Sequence, residues 1–312
     1  MAELRFDGRV AIVTGGGTGL GAAHARLLAD RGAAVVVNDL DGDAAGALVD
    51  DLVGAGARAV AAVADIADPD QASGIVRTAV DAFGRIDIVV NNAGLMRPMQ
   101  FADLSVELWD LIVSVNLRGT FLVTHAAWPH MVEQRYGRIV STTSNSGLLG
   151  VAGSTPYSAA KAAVWGMTRS LALEGGPLGI HVNAVAPMAY TAMSAASKIA
   201  PEAWRTGEGD AWSRRLDVAR VAPAVGWLAH EACTLNGQVL SAVGGRVARF
   251  AMRVTDGFVD DDLTIESVHD HEAALLADDD VGVEYRTAFQ EGRDLHRRLM
   301  PMDSTHVSSQ PE

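Results

Sequence analysis

The chain has 312 residues, is 49% hydrophobic and only 5% aromatic, and carries a formal net charge of −13. That charge argues against nucleic acid and anionic membrane as partners, and no apolar run is long enough to cross a bilayer. The single Cys233 excludes an intramolecular disulfide, and Met1 to Asp7 lacks the apolar stretch of a signal peptide. Both fit a reducing, cytoplasmic location.

In chain order, short apolar runs alternate with amphipathic stretches over the first 245 residues. Strands are predicted at Val10 to Val13, Ala33 to Val37, Arg58 to Val63, Ile86 to Val90, Arg138 to Thr142, Ile180 to Val185 and near Gln238 to Leu240. Helices are predicted at Gly19 to Arg31, Ala44 to Ala55, Pro69 to Phe83, Ser105 to Glu133, Pro156 to Glu174 and Val218 to His230. Continuous apolar strands alternating with helices indicate a parallel sheet covered on both faces. The expected fold is therefore α/β, a doubly wound Rossmann-type sheet in three layers, with ligands at the C-terminal strand ends. Past Arg246 the composition turns polar. The aspartate runs 260–262 and 278–280 flank predicted helices from Ile265 to Ala277 and Val283 to Leu299. Residues 1–250 are read as one domain. Residues 251–312 are read as an extension packed on it or on a neighbouring subunit, with a disordered tail from about residue 302.

The turn between the first strand and first helix is Thr14-Gly15-Gly16-Gly17-Thr18-Gly19-Leu20-Gly21. Glycines allow a tight turn and close backbone approach to a pyrophosphate, whose charge a helix N-terminus favours. Gly15, Gly17, Thr18, Gly19, Leu20 and Gly21 are the expected cradle. Asp39 closes the second strand about 20 residues on, where a carboxylate accepts hydrogen bonds from ribose hydroxyls and repels a 2′-phosphate. This favours NAD over NADP; the other reading of Asp39 is a cap on the next helix. Asp65 and Ile66, and Asn92, Ala93 and Gly94, follow strands three and four and are expected to border the adenine and ribose.

Lysines occur only at 161 and 198. Lys161 lies four residues after Tyr157 on a predicted helix, a spacing that puts both on one face. A nearby ammonium favours the phenolate, so the pair can move a proton on and off an alcohol oxygen. Ser144 lies thirteen residues upstream of Tyr157, at the end of a strand-like run.

With these elements in order, residues 5 to about 245 resemble a classical short-chain dehydrogenase/reductase. The matching elements are T-G-x-x-x-G-x-G at Thr14, N-N-A-G at Asn91, Ser144 and Y-x-x-x-K at Tyr157. The resemblance implies a catalytic tetrad of Asn116, Ser144, Tyr157 and Lys161. Tyr157 would be the acid/base. Lys161 would lower its pKa and hold the nicotinamide ribose. Ser144 would bond the substrate oxygen, and Asn116 would shape the backbone and hold a relay water. It also implies cofactor contacts at Tyr157, Lys161, Pro187, Tyr190 and Thr191. One departure stands out: Met188 follows Pro187 where the family has glycine, and Thr191 sits one residue short of the usual spacing. Residues 221–233, Asn236-Gly237 and Gly244 to Arg249 resemble the (3R)-hydroxyacyl-CoA dehydrogenase branch of the type 2 peroxisomal multifunctional enzyme, some of whose bacterial relatives act on 17β-hydroxysteroids. The C-terminal Gln310-Pro311-Glu312 is not a peroxisomal address.

The segment Met188 to Trp212, with Met193, Ile199 and Trp204, reads equally as an apolar lid over a hydrophobic substrate and as ordinary packing. His269-Asp270-His271 is set aside as a metal site, because i,i+2 residues do not share a helix face; no metal is expected. The function expected is NAD-dependent interconversion of a hydrophobic secondary alcohol and its ketone, of 3-hydroxyacyl-CoA or hydroxysteroid type. The alternatives are a reductase of an acyl-carrier-bound, terpenoid or small carbonyl, and a nucleotide-binding protein without turnover. Surplus apolar positions such as Leu111, Phe121, Trp165 and Leu173 predict a homotetramer, or a dimer, built on the Ser105 to Glu133 and Tyr157 helices.

Overall fold

In a computed structural model, which describes residues 3–196, 213–276 and 282–299, the apolar runs become strands of one sheet. They are β1 (Val10–Thr14), β2 (Ala34–Asp39), β3 (Ala59–Val63), β4 (Ile88–Asn91), β5 (Gly137–Thr142), β6 (Ile180–Met188), β7 (Val239–Val243) and β8 (Arg246–Phe250). Their order is β3-β2-β1-β4-β5-β6-β7-β8. All neighbours pair parallel except β7 and β8. The order reverses beside β1, so the first crossovers diverge there and open a crevice at the strand C-termini.

Alternate residues of the first strands face opposite sides of the sheet. Ala11, Val13, Val35 and Val37 pack under helices α1 (Gly19–Asp30) and α2 (Gly42–Gly54). On the other face Val10, Ile12, Ala34 and Val36 meet α3 (Pro69–Phe83). Burying an aliphatic side chain of this size stabilises by about 1.5–3 kcal/mol, so the alternation itself fixes the register. The α3 boundaries match the predicted ones because Asp68 caps the helix start, accepting from Asp70 and Gln71 N–H, and Gly84 ends it at φ 78°.

The predicted helix from Ser105 to Glu133 runs unbroken from Val106 to Gln134 but is not α-helical throughout. It divides into α4 (Val106–Val113), a π-helical stretch (Ser114–Gly119) and α5 (Thr120–Gln134). Hydrophobic periodicity does not register one widened turn, yet that turn holds Asn116. Two further helices follow, α6 (Ser146–Leu149) and α7 (Thr155–Gly175), then α8 (Ala192–Ala196) and α9 (Ala222–Ala229). The helix predicted from Val218 starts as a 3-10 turn over Val218–Arg220.

The sheet has one strand beyond the seven predicted. Gly244 and Gly245, at φ 61° and 91°, make the two-residue hairpin that sends β8 back along β7. A Gly-Gly pair between strand-like runs is a hairpin signal in its own right. The change of composition after Arg246 obscured it.

At the strand N-termini, away from the crevice, Asp87 is fully buried. It is held by Arg85 at 2.6 Å, Arg9 at 3.1 Å and the Val10 N–H at 3.0 Å. Arg9 and Arg138 stack on the Tyr136 ring, 3.9 and 4.6 Å from its centroid. This network ties β1, β4 and β5 together at the end opposite the site.

His24 on α1 is buried, and neither ring nitrogen has a partner among the described residues. Desolvation lowers its pKa from 6.5 to about 4. The unfolded chain therefore binds the extra proton first. This contribution to stability is complete above about pH 6.5 and is lost as pH falls to about 4. A shift of this size corresponds to about 3 kcal/mol. His24→Leu is expected to flatten the acid limb of a plot of urea midpoint against pH over that window. An unchanged limb would place the titration elsewhere.

The chain forms two compact units, Met1–Phe250 and Ala251–Glu312. In the second unit Val254 pairs with Val283 in an isolated antiparallel bridge. The helices there are α10 (Ile265–Asp270), α11 (Glu272–Leu275) and α12 (Ala288–Leu299). The first predicted helix is broken at His271, whose ring stacks on Phe258 at 4.3 Å. The second starts late because Val283 is in the bridge. The predicted tail from residue 302, the aspartates 278–280, and Ile199 and Trp204 lie outside the described residues.

Candidate active site

The β1–α1 turn is shaped by what a side chain would strike. Gly15 and Gly19 have φ of 58° and 57°, a region that L side chains avoid. A Cβ on Gly21 would lie 2.0 Å from the Gly15 carbonyl oxygen, so α1 can start there only with glycine. Thr18 stands at the N-cap without a side-chain cap bond, and the first turn has no acidic residue. Its orphan N–H groups, together with the positive end of the helix dipole, suit an anion.

Asn92 braces this turn from β4. Its Nδ2 donates to the Thr14 and Gly15 carbonyls, both at 3.0 Å. Both amide hydrogens are thereby used, so Asn92 positions the loop rather than donating to a ligand. Thr14 Oγ1 answers by accepting from the N–H groups of Asn92 and Ala93. Asp39 Oδ2 accepts from Gly17 N–H at 2.9 Å, and Oδ1 accepts from Asp41 N–H. The cap of α2 is Asp41, which accepts from Asp43 and Ala44; Asp39 is left at the end of β2 facing the glycine turn. Asp65 Oδ1 accepts from Ala67 N–H. Ile66 is buried and would touch a Cβ on Gly119 at 2.6 Å, so it turns into the core beside the π turn.

Across the crevice the catalytic candidates come from three places: the π turn, the end of β5 and α7. Asn116 is fully buried. Its Nδ2 donates to the Leu95 and Ile112 carbonyls, and its Oδ1 accepts from Leu95 N–H. The π turn lets one side chain serve both its own helix and the strand-four loop. Lys161 on α7 is 2% exposed and donates to the Thr142 carbonyl at 2.8 Å. A Cβ on Gly94 would lie 2.8 Å from Asn116 Oδ1 and 3.5 Å from Lys161 Nζ. The glycine of N-N-A-G thus leaves room for both groups.

Burial lowers the Lys161 pKa from 10.5 to about 8. Burial also pushes the Tyr157 phenol above its ordinary value, and the neighbouring Ser144 hydroxyl pulls it partly back. The predicted lowering of Tyr157 by Lys161 is corrected here. The ammonium is aimed at the Thr142 carbonyl and lies 5.6 Å from the ring centroid, so in this arrangement desolvation outweighs it.

Beyond β6, the strand continues through Pro187 and Met188, which pair with Ala242 and Val243. The side chain in place of glycine is therefore accommodated as ordinary strand. Tyr190 N–H donates to Leu216 O. Thr191 caps α8, its Oγ1 accepting from Ser194 N–H, and its Cγ2 would lie 3.7 Å from a Cβ on Gly19. Met193 on α8 is half-buried.

Four contributors went unassigned in the sequence reading. Thr14 was visible within the glycine motif. Thr142 and Thr143 hold Lys161 through backbone and hydroxyl contacts; Thr143 Oγ1 donates to the Lys161 carbonyl at 2.6 Å. Gly147 lies against α7, where a Cβ would be 2.6 Å from Ala162 N. No sequence signal marks those last three.

The glycine turn, the unsatisfied helix start and the Asp39 carboxylate fit a dinucleotide. The short chain dehydrogenase family model matches residues 9–202. The mouse (Mus musculus) peroxisomal multifunctional enzyme type 2 is 42% identical over 283 residues, 86% of this chain but 37% of its own length. A short-chain type dehydrogenase/reductase of Mycobacterium tuberculosis is 44% identical over 258 residues, 80% of this chain and 87% of that one. The full-length peroxisomal multifunctional enzyme type 2 from Drosophila melanogaster superposes with a TM-score of 0.78 at 33% identity, covering 95% of this chain and 50% of that chain. The chain thus spans half or less of the mouse and fly multifunctional proteins. Taken with the glycine turn and the Ser144, Tyr157 and Lys161 arrangement, these matches show that the chain belongs to the short-chain dehydrogenase family.

Proposed function

We propose that this protein is an NAD-dependent oxidoreductase that interconverts a hydrophobic secondary alcohol and its ketone, the substrate being a 3-hydroxyacyl-CoA or a hydroxysteroid. The observation that carries the reading is the convergence of Lys161 and Asn116 on Gly94, with the Ser144 hydroxyl close enough to the Tyr157 phenol to pull its pKa down. Gly15, Gly17, Thr18, Gly19, Leu20 and Gly21 cradle the pyrophosphate. Asp65, the backbone of Ile66, Ala93 and Gly94 border the adenosine and ribose, with Asn92 bracing the turn. Pro187, Tyr190 and Thr191 flank the nicotinamide. A bound nicotinamide dinucleotide supplies the hydride acceptor or donor.

In oxidation Tyr157 takes the hydroxyl proton, and Ser144 donates to the oxygen as negative charge develops there. In reduction Tyr157 returns the proton. Lys161, with a pKa near 8, is positioned to steady the ribose and the phenolate once a ligand closes the site.

NAD is preferred because Asp39 offers its carboxylate to the ribose diol. Asp39→Ala is expected to raise KM for NAD about tenfold, the loss of roughly 1.4 kcal/mol of hydrogen bonding to a charged group, and to narrow the gap to NADP. A higher kcat/KM with NADPH than with NADH in the unaltered protein would refute the assignment.

Assembly as a homotetramer, or a dimer, belongs to the same reading. Val106, Leu111, Phe121 and Leu173 are all exposed on α4, α5 and α7, more apolar surface than the sheet covers. Residues 251–312 are proposed as an extension of the catalytic domain. A cytoplasmic location is retained as part of the proposal, on the single cysteine. The peroxisomal names belong to the relatives.

A further inference from the structure

Ser144 does not stand alone at the end of β5. Ser146 donates to Ser144 Oγ twice, from its hydroxyl at 2.9 Å and from its backbone N–H at 3.2 Å. A serine hydroxyl has two lone pairs and one proton. With both lone pairs filled by Ser146, Ser144 can engage anything else only as a donor. Its proton now makes a long 3.4 Å contact with Asn145 Oδ1, a bond weak enough to be surrendered.

Ser146 itself is 6% exposed. It opens α6, whose Gly147 fits flush against the α7 backbone at Lys161 and Ala162. The second serine is therefore fixed relative to the helix carrying Tyr157, not merely to its own turn.

We infer that Ser146 is a positioning residue that fixes Ser144 as a hydrogen-bond donor, able to leave Asn145 for the Tyr157 phenolate in the free enzyme and for the substrate oxygen in the reaction. The inference rests on the oxidoreductase reading for its kinetic consequence, but the bond direction itself does not depend on turnover. Without the Ser146 hydroxyl, Ser144 is free to rotate and accept from the Tyr157 phenol. That reversal favours the neutral phenol, whereas donation favours the phenolate. The charged group facing the Tyr157 ring is Lys161, 5.6 Å from its centroid; Ser146 leaves the contact of Lys161 with Thr142 untouched.

The test compares Ser146→Ala, Ser146→Thr and Ser146→Cys in the full chain. Cysteine fills the space but donates weakly, and serves if alanine disturbs the turn. Tyr157 ionisation is read without cofactor or substrate, as the difference in phenolate absorbance between each protein and its Tyr157→Phe counterpart after a pH jump. Losing one hydrogen bond is expected to raise the Tyr157 pKa by about half a unit to one unit in Ser146→Ala and Ser146→Cys. Ser146→Thr is expected to restore it. With a turned-over alcohol, kcat is expected to fall ~3- to 10-fold in the same two variants, the basic limb of the rate profile moving with the phenol and NADH affinity unchanged. An unshifted Tyr157 titration in both Ala and Cys variants would overturn the inference. So would equal impairment in the Thr variant, which would mark Ser146 as packing alone. If no alcohol is oxidised by the unaltered protein, the titration still decides the role of Ser146, and the oxidoreductase reading fails separately.

Discussion

Tyr157→Phe is expected to reduce alcohol oxidation by at least a factor of about 10² to 10⁴, the range typical of a general acid/base group. NADH binding should stay near normal. The phenol ring contributes packing and faces Lys161, and phenylalanine keeps both features. What is lost is the phenol oxygen, the proposed acid/base group itself. Burial raises the phenol, so the free enzyme holds its proton at neutral pH and is poised as an acid. Oxidation, which needs the phenolate, is therefore expected to speed up with rising pH. Steady-state rates across pH, paired with NADH fluorescence titration, separate chemistry from binding. Near-normal turnover in Tyr157→Phe would end the proposed mechanism.

The second large effect is expected at Gly21. An added Cβ would lie 2.0 Å from the Gly15 carbonyl oxygen and 2.7 Å from Asn92 Nδ2. The first of these is backbone, already held by Asn92, so the turn itself must shift. Overpacking of this kind costs about 1–3 kcal/mol. If the strain falls on the anion cradle, NADH affinity drops roughly ten- to hundredfold. Gly46, on α2, meets nothing within 4 Å. Gly46→Ala is expected to bind NADH normally and to gain up to ~1 kcal/mol of helix stability. Equal NADH affinity in Gly21→Ala and Gly46→Ala would show that the cradle is not the binding site.

The sequence revealed these elements unequally, and for physical reasons. Strand identity was legible because burial on two faces demands continuous Val, Ile and Ala, as in Val10–Thr14. The Ser144, Tyr157 and Lys161 set was legible because residue type and spacing carry its chemistry. The π turn at Ser114–Gly119 was not, because inserting one residue into a helix leaves composition and approximate period intact. Asn116 could be named, but how it reaches Leu95 could not. Strand β8 was missed although Gly244-Gly245 marks its hairpin, since Arg246-Val247-Ala248-Arg249-Phe250 is half-exposed and reads as polar. The direction of the Tyr157 shift was also out of reach. Spacing places Lys161 on the same helix face but does not say that its ammonium turns to Thr142. Desolvation, the larger effect, depends on tertiary packing that no local pattern reports.

The proposed activity is tested most directly by NADH formation in purified protein supplied with NAD and, separately, with a 3-hydroxyacyl-CoA, a hydroxysteroid and a terpenoid secondary alcohol. Stereospecific NADH production from the acyl-CoA or the steroid, exceeding that from the terpenoid and from NADP-supported assays, is the expected result. Tight NADH binding with no turnover of any of the three alcohols or their ketones would contradict the proposal and leave a nucleotide-binding protein in its place.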